Sequence, residues 1–448
     1  MIRRTSTGAA VATVAMLVLA GTVIAATLNS YPAYLGGPAH DSYAPSATTI
    51  TVANASGIHS LWSWTPPGGD LTSSPTVNAG IVYIGAENGA FYAMSATTGK
   101  IKWTKKLTIS NCANSGIVSS ATVMKDPVTG KLTVYVGAGD HYLYALNATN
   151  GATVWRHLIG PATSNNDYYN FSSPTVANGY VYYGVANACG AGYDGMVAFN
   201  QHTGTQTGVY YTSGSATVEG ASVYTSAAVA ADGSVFLTTG DDNGASTNDS
   251  TAIVKLAEGT LTRLAGYQIP GLVGKNMDFN ASPTLFSDGG TPAVGACDKD
   301  GVFYARKQSD MSALWQDTLG IPPAVDSLAF CGGSAVYNGS DLFVGADAPA
   351  SGDPPGSIYE LTPGGTHIWE TALSAGPVIG TPSLDGSGVL VVPTYDKTSG
   401  AHSAVYLVEA STGAILKTIT TSGPIFAQPV FADGELLVAG PTLQAYVP

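Results

Sequence analysis

The side chains that could do chemistry are mostly carboxylates, and they gather in two stretches. An acidic loop runs from Asp241 to Asp249, and its oxygens suit a hard cation such as calcium. The alternative is a solvated loop of ordinary turn residues. Lys299 lies between Asp298 and Asp300, where it is either solvated or paired with one of them. The sequence has no Gly-x-Ser-x-Gly elbow, phosphate-binding loop or haem-attachment motif, so it indicates none of those chemistries.

The composition is typical of a β-rich extracellular chain. Only 10% of the 448 residues are charged and the formal net charge is −13, so the chain has no basic stripe for a nucleic-acid partner. Arg3 and Arg4 precede an apolar run from residue 9 to 26. This pattern predicts a secretory signal peptide over residues 1–26, and hence export, with a retained anchor as the alternative. We expect no transmembrane segment after cleavage.

Four cysteines are the remaining reactive groups: Cys112, Cys189, Cys297 and Cys331. Their spacing lacks the C-x-x-C and His/Cys patterns that are typical of zinc sites. An even number in an exported chain predicts two disulfides, for which three pairings are open.

These groups are positioned by a repeated strand–turn–strand unit. The unit is clearest at Phe91–Trp103, where strand formers precede a Thr-Gly turn and apolar residues then alternate with lysines. One unit cannot bury its own apolar face, so neighbouring copies must cover it. Further copies are Tyr142–Trp155, Met196–Tyr210, Phe303–Trp315, Ile358–Trp369 and Val405–Ile419.

A second motif opens each unit at a nearly regular step of 46 to 56 residues. After each copy come an apolar strand, the aromatic strand and the Trp strand, which gives four strands per unit. Eight such units predict an all-β, eight-bladed propeller. The copies are SSPTV at 73–77, SSATV at 119–123, SSPTV at 172–176, TSAAV at 225–229, ASPTL at 281–285, GGSAV at 332–336, GTPSL at 380–384 and AQPVF at 427–431.

The two ends of the chain predict how the ring closes. The last unit stops at Pro448 without a fourth strand, whereas His59–Trp64 is a spare strand at the other end. We expect this N-terminal strand to join the last blade, which would leave no open edge. A linear solenoid would need polar caps, which neither end has. Residues 27–58 are then an N-terminal segment, and residues 59–448 the propeller.

The A-x-x-x-x-T-G-x-x-x-W copies resemble the tryptophan-docking repeats of the quinoprotein, or pyrroloquinoline quinone (PQQ), dehydrogenase superfamily. The resemblance covers essentially the whole mature chain. It implies a PQQ-like propeller whose tryptophans pack between neighbouring blades. Non-enzymatic members, such as outer-membrane assembly propellers, share these repeats, so the resemblance is specific for the fold rather than for the activity.

Enzymes of this superfamily bind PQQ and calcium on the propeller axis, and four positions of this sequence resemble their site. Asp278, in MDFNASP, resembles the catalytic base of the polyvinyl-alcohol dehydrogenase branch, with a turn-amide acceptor as the alternative. Lys299 falls where these enzymes place a cation against the quinone oxygens, and Asp241 where a side chain ligates calcium. Tyr224 stands where an aromatic ring forms the floor under the cofactor.

Departures from the family pattern argue against a complete enzyme. The calcium-binding Glu expected in the third unit is absent from residues 188–194, and so is the Arg expected soon after Cys112. The vicinal cysteine pair that covers PQQ in many members is reduced to Cys112-Ala113. The resemblance puts Cys112 and Cys189 in loops that line the pocket, where a disulfide between them would occupy cofactor space. Cys297 would then pair with Cys331.

The sequence therefore favours an exported binding or scaffold propeller with an incomplete quinoprotein site and an unidentified ligand on its axial face. The first alternative is a PQQ- and calcium-dependent alcohol dehydrogenase that oxidises alcohols or polyvinyl-alcohol-like polymers and passes electrons to a separate acceptor. The second alternative is a propeller that binds cell-wall polysaccharide, which the 24 tyrosines favour.

Overall fold

The structure is a computed structural model that describes residues 30–109, 116–160, 168–169, 171–187, 193–218, 220–242, 249–320, 331–347, 356–396 and 403–448. Within these residues the strands form eight sheets, which confirms the predicted all-β, eight-bladed propeller. No helix in the same ranges is long and apolar enough to cross a membrane. The predicted signal peptide and two of the cysteines, Cys112 and Cys189, lie outside the described residues.

The blades follow one another along the chain, and each begins with its innermost strand. Blades 1 and 2 comprise Thr76–Asn78, Ile81–Gly85, Ala90–Ser95 and Ile101–Lys106, then Thr122–Lys125, Leu132–Gly137, Tyr142–Asn147 and Thr153–Leu158. Blades 3 and 4 comprise Thr175–Ala177, Tyr180–Asn187, Gly195–Asn200 and Gln206–Tyr211, then Ala228–Val229, Val235–Thr238, Ala252–Leu256 and Arg263–Gln268.

The second half of the ring repeats this order. Blades 5 and 6 comprise Thr284–Asp288, Thr291–Cys297, Val302–Lys307 and Ala313–Thr318, then Val336–Tyr337, Leu342–Asp347, Gly356–Leu361 and His367–Leu373. Blades 7 and 8 comprise Ser383–Asp385, Val389–Pro393, Ala404–Glu409 and Ile415–Thr420, then Val430–Ala432, Glu435–Ala439, Leu443–Val447 and His59–Trp64. Shorter elements are Tyr43–Ala44, which joins blade 7, Tyr168–Tyr169, which joins blade 3, and the 3₁₀ helix Ala55–Gly57.

The outermost strand of every described blade carries a β-bulge at the same place. In blade 8 this strand is His59–Trp64, which pairs antiparallel with Leu443–Val447 and shifts register between Ser60 and Trp62. The other seven outer pairs shift register at the equivalent point. A bulge twists an exposed edge, so these bulges discourage pairing with other chains.

The tryptophans lie between neighbouring blades, as the family resemblance implied. Trp103 donates from Nε1 to the carbonyl oxygen of Ala148 in the next blade at 3.0 Å. Its ring also covers the turn glycine of that blade, because a Cβ on Gly151 (φ +69°) would come within 2.7 Å of the ring. Glycine is needed there both for its left-handed φ and to admit the ring. The same kind of hydrogen bond is made by Trp62, Trp155, Trp315 and Trp369.

The strand-opening motif joins the blades around the axis. The backbone N–H of its second residue donates to the side chain of the second residue in the next blade, as from Ser74 to Ser120 at 2.8 Å. The sixth copy lies at 333–337, one residue later than predicted, because Ser334 makes the bond of the second residue. The other links run from Ser120 to Ser173, Ser173 to Ser226, Ser226 to Ser282, Ser334 to Thr381 and Gln428 to Ser74.

The N-terminal segment crosses the innermost strands and covers one end of the axial channel. Its carbonyl oxygens accept hydrogen bonds from inner-strand N–H groups, including Pro32 from Val123 and Pro38 from Val229, both at 2.7 Å. Leu35 is fully buried, and its N–H donates to the side chain of Gln428 in blade 8. These bonds satisfy inner-strand groups that have no partner within their own sheets. Further bonds of this kind join Tyr31 to Val77, Ala39 to Leu285, Asp41 to Tyr337 and Ser42 to Leu384.

Candidate ligand-binding site

A cavity of about 360 Å³ lies at the axis, bounded at one end by Tyr34 of the N-terminal segment. Its volume is within the range of small-molecule binding sites. Six of its lining residues occupy one position of the repeat, immediately before the strand-opening motif. Tyr224 was predicted to be there, and so was Asn280 as part of an axial-face loop at 276–280, whereas the other four were missed, although the motif spacing locates them. The six are Phe171, Tyr224, Asn280, Gly332, Ile379 and Phe426.

Aromatic side chains form two walls of this cavity. The rings of Phe171 and Tyr224 meet edge-on with centroids 6.1 Å apart, and those of Tyr395 and Phe426 do so at 6.2 Å. The first pair comes from blades 3 and 4 and the second from blades 7 and 8, which are opposite in an eight-membered ring. The two pairs therefore face each other across the axis. Phe171 and Phe426 are 38% and 45% exposed, and both line the same cavity.

Asp278 and Lys299 line a third side of the cavity. Lys299 Nζ lies 3.4 Å from Asp278 Oδ2, and the two side chains are only 11% and 17% exposed. The backbone N–H of Lys299 also donates to the carbonyl oxygen of Asp278 at 3.0 Å. The structure thus brings together Asp278, Lys299 and Tyr224, and it pairs Lys299 with Asp278 rather than only with its sequence neighbours.

Asp241 lies behind this ion pair, where its carboxylate holds a turn. Its Oδ1 accepts from the N–H of Gly274 at 2.8 Å and the hydroxyl of Ser250 at 3.1 Å, and its Oδ2 accepts from the N–H of Asn276 at 2.6 Å. Its own N–H donates to Asp278 Oδ1 at 2.7 Å. The side chain therefore fixes the segment that leads to Asp278, and most of its acceptor positions are already used.

Two further groups support the wall that carries Lys299. Asp298 is fully buried, and burial, followed by the negative charge of Asp300, raises its pKa well above the ordinary value. Cys297 and Cys331 form a disulfide that joins the strand before Lys299 to the residue before Gly332. The disulfide thereby ties blade 5 to blade 6 beside the cavity.

The described residues do not fit PQQ together with calcium. Calcium takes about six to eight oxygen ligands, but no group of three or more His, Cys, Asp or Glu in the described ranges could hold a metal ion. Among the lining residues that the structure describes, Lys299 is the single cation, and it is paired with Asp278. A large anion such as PQQ needs more positive charge than this. The roles of Asp278 as base, Lys299 as quinone contact, Tyr224 as cofactor floor and Asp241 as calcium ligand stay predictions.

Comparisons with known proteins agree with the fold. A family profile described as outer membrane protein assembly factor BamB matches residues 42–257. The quinohemoprotein alcohol dehydrogenase of Comamonas testosteroni is 17% identical with a TM-score of 0.72, over 94% of this chain and 80% of that one. A europium-containing methanol dehydrogenase is 14% identical with a TM-score of 0.74, over 92% and 90%. BamB of Moraxella catarrhalis is 15% identical with a TM-score of 0.55, over 87% and 98%.

These matches, with the repeats and the eight blades, define the class of fold: the chain is a PQQ-like β-propeller. At such low identities the likeness to the solved structures shows the fold alone. A search of curated protein sequences finds no significant match.

Proposed function

We propose that the chain is an exported binding propeller whose axial cavity takes a small organic ligand. The observation that carries this proposal is the composition of the cavity wall. The repeat position before the strand-opening motif supplies two partly exposed rings, Phe171 and Phe426, to one cavity, and apolar groups that are exposed together often mark a binding site. A concave, mostly apolar site with a few fixed polar groups is typical of small-molecule binding.

The polar groups of the cavity can orient such a ligand. Asp278 supplies a hydrogen-bond acceptor and Lys299 a donor, and both are held by backbone contacts. Because both side chains are largely buried, their interactions with a ligand are stronger than in water. Export is supported by the signal-like sequence of residues 1–26 and by the Cys297–Cys331 disulfide, since disulfides persist in oxidising compartments.

The polysaccharide-binding alternative loses its main support. It was favoured by the number of tyrosines, and 13 of the 24 are buried in the described structure. Most of these rings pack within and between the blades. Their abundance is therefore explained by the core rather than by an exposed binding surface.

An alcohol dehydrogenase is the second candidate function. The observation that favours it is the proximity of Asp278 and Lys299 inside the cavity, at 3.4 Å. The described residues do not fit PQQ with calcium, so we derive no catalytic step through them.

A reconstitution assay separates the two candidates. The purified chain and Asp278→Asn are each incubated with PQQ and calcium, and dye-linked oxidation of primary, secondary and polymeric alcohols is measured. We expect the chain to show no oxidation above that of the variant. Turnover by the chain that disappears in Asp278→Asn would contradict the binding proposal and support the enzyme.

A further inference from the structure

We infer that the axial cavity selects a flat, uncharged ring compound that carries a hydroxyl or carbonyl group at one edge. The inference rests on the proposed function and adds the chemical class of the ligand. Three properties of the cavity lead to it: the aromatic character of its walls, the balance of its charges and the position of its hydrogen-bonding groups.

Aromatic rings line the cavity on two opposite sides, and the space between them is called the slot here. Each wall is an edge-on pair of rings, Phe171 with Tyr224 on one side and Tyr395 with Phe426 on the other. Rings at opposite walls give a flat ligand two apolar faces, and aromatic contacts of this kind add binding energy beyond the area buried. Tyr34 bounds the slot at the N-terminal segment, and burial raises its pKa, so this wall is uncharged.

The charges oppose an anionic ligand. In the described lining, Asp278 and Lys299 cancel each other. Further carboxyl groups lie close by, since Asp300 follows Lys299 in the same loop and the charge of Glu87 reaches Tyr395. A ligand with several negative charges would meet these groups and would also lose its hydration. An uncharged ring meets neither cost.

The ion pair provides a place for one polar edge of the ring. Asp278 Oδ2 and Lys299 Nζ are 3.4 Å apart, so one hydroxyl group can donate to the first and accept from the second. Asn280 lines the same side and adds an amide. Since the other walls are largely aromatic, a ligand with polar groups all round, such as a sugar, would leave several of them without partners.

Calorimetric titration with a charge series on one ring tests the ligand class. The probes are 2-naphthol, 2-naphthoate and naphthalene-1,3,6-trisulfonate, with glucose as a polar comparator. We expect 2-naphthol to bind roughly tenfold or more tightly than 2-naphthoate, because one uncompensated like charge costs at least that much, and the other two not to bind. Trisulfonate or glucose binding as tightly as 2-naphthol, or no binding of 2-naphthol, would overturn the ligand class. The binding proposal itself fails on a different result, turnover with PQQ.

Single variants test whether the ring lies in the slot. Phe171→Ala and Phe426→Ala, from opposite walls, should each weaken 2-naphthol binding about two- to tenfold. Both positions are partly exposed, so the variants are expected to fold. Ile415→Ala is the matched control, since Ile415 is 44% exposed on the outermost strand of blade 7. If only one of the two Phe variants weakened 2-naphthol binding, or if the control weakened it equally, the ring would not lie between the two walls.

Discussion

At the scale of single residues, the carboxylates of the site divide into those that face the cavity and those that support it. Asp278 lines the cavity, whereas Asp241 holds the N–H groups of Gly274 and Asn276. Sequence reasoning placed both at one site because the resemblance did so. It could not tell them apart, because the difference lies in hydrogen bonds made 33 and 35 residues further along the chain.

Asp241→Ala should lower the free energy of unfolding by about 2–3 kcal/mol, because it leaves the N–H groups of Gly274 and Asn276 without their acceptor. Urea unfolding measures the change. Asp310→Ala is the control, since Asp310 lies on an exposed turn and accepts from the N–H of Ser312 at 2.9 Å, and loss of this exposed bond should cost much less than the loss at Asp241. If Asp241 instead ligated calcium, EDTA would lower the melting temperature of the wild type and leave that of Asp241→Ala unchanged.

At the scale of elements, each Trp strand depends on a turn glycine in the next blade. In blade 7, Gly413 (φ +73°) lies under Trp369, and an added Cβ would come within 2.7 Å of the ring. Gly388 (φ +83°) is in another turn of the same blade, with no atom within 4 Å of an added Cβ. The resemblance to the quinoprotein repeats implied that the tryptophans pack between blades. It did not show that the glycine itself receives the ring, since that contact joins two blades.

Gly413→Ala should destabilise the protein by about 1–3 kcal/mol more than Gly388→Ala. Both variants place alanine at a positive φ, which costs about 1–2 kcal/mol, but only the first also displaces a packed ring. Thermal unfolding of the two variants measures the difference. Equal destabilisation would show that the ring moves at no cost and that its contact with the turn is unimportant.

At the scale of the whole molecule, the regular period of the repeat predicted the ring of blades, whereas the position of the non-repetitive N-terminal segment could not be predicted. Residues 27–58 show no periodicity, so nothing in them indicated that they cross the inner strands and bound the cavity with Tyr34. The cavity wall could have been predicted from the sequence, because in six blades the residue before the strand-opening motif lines the cavity. That position was missed because its chemistry varies, from Phe171 to Gly332, while its place in the repeat does not.

The stability of the propeller should fall as the pH rises through about 7. Burial raises the pKa of Glu360, Asp385 and Glu435 to about 7, with added repulsion from Asp341 at Glu360 and from Asp433 at Glu435. The folded state therefore binds these protons more tightly than the unfolded chain, whose carboxyl groups titrate near pH 4. Their stabilising contribution to the free energy of unfolding is complete below about pH 4 and is lost as the pH rises through 7. Melting temperatures between pH 5 and 8 should decline, and Glu435→Gln should decline less. A melting temperature that rises over this range would contradict the account.

The most direct test of the central claim is a crystal structure of the protein soaked with 2-naphthol. The account predicts density for the ring between the Phe171–Tyr224 and Tyr395–Phe426 pairs, with its hydroxyl group within hydrogen-bonding distance of Asp278 and Lys299. Density elsewhere on the protein, with the axial cavity holding only solvent, would contradict it.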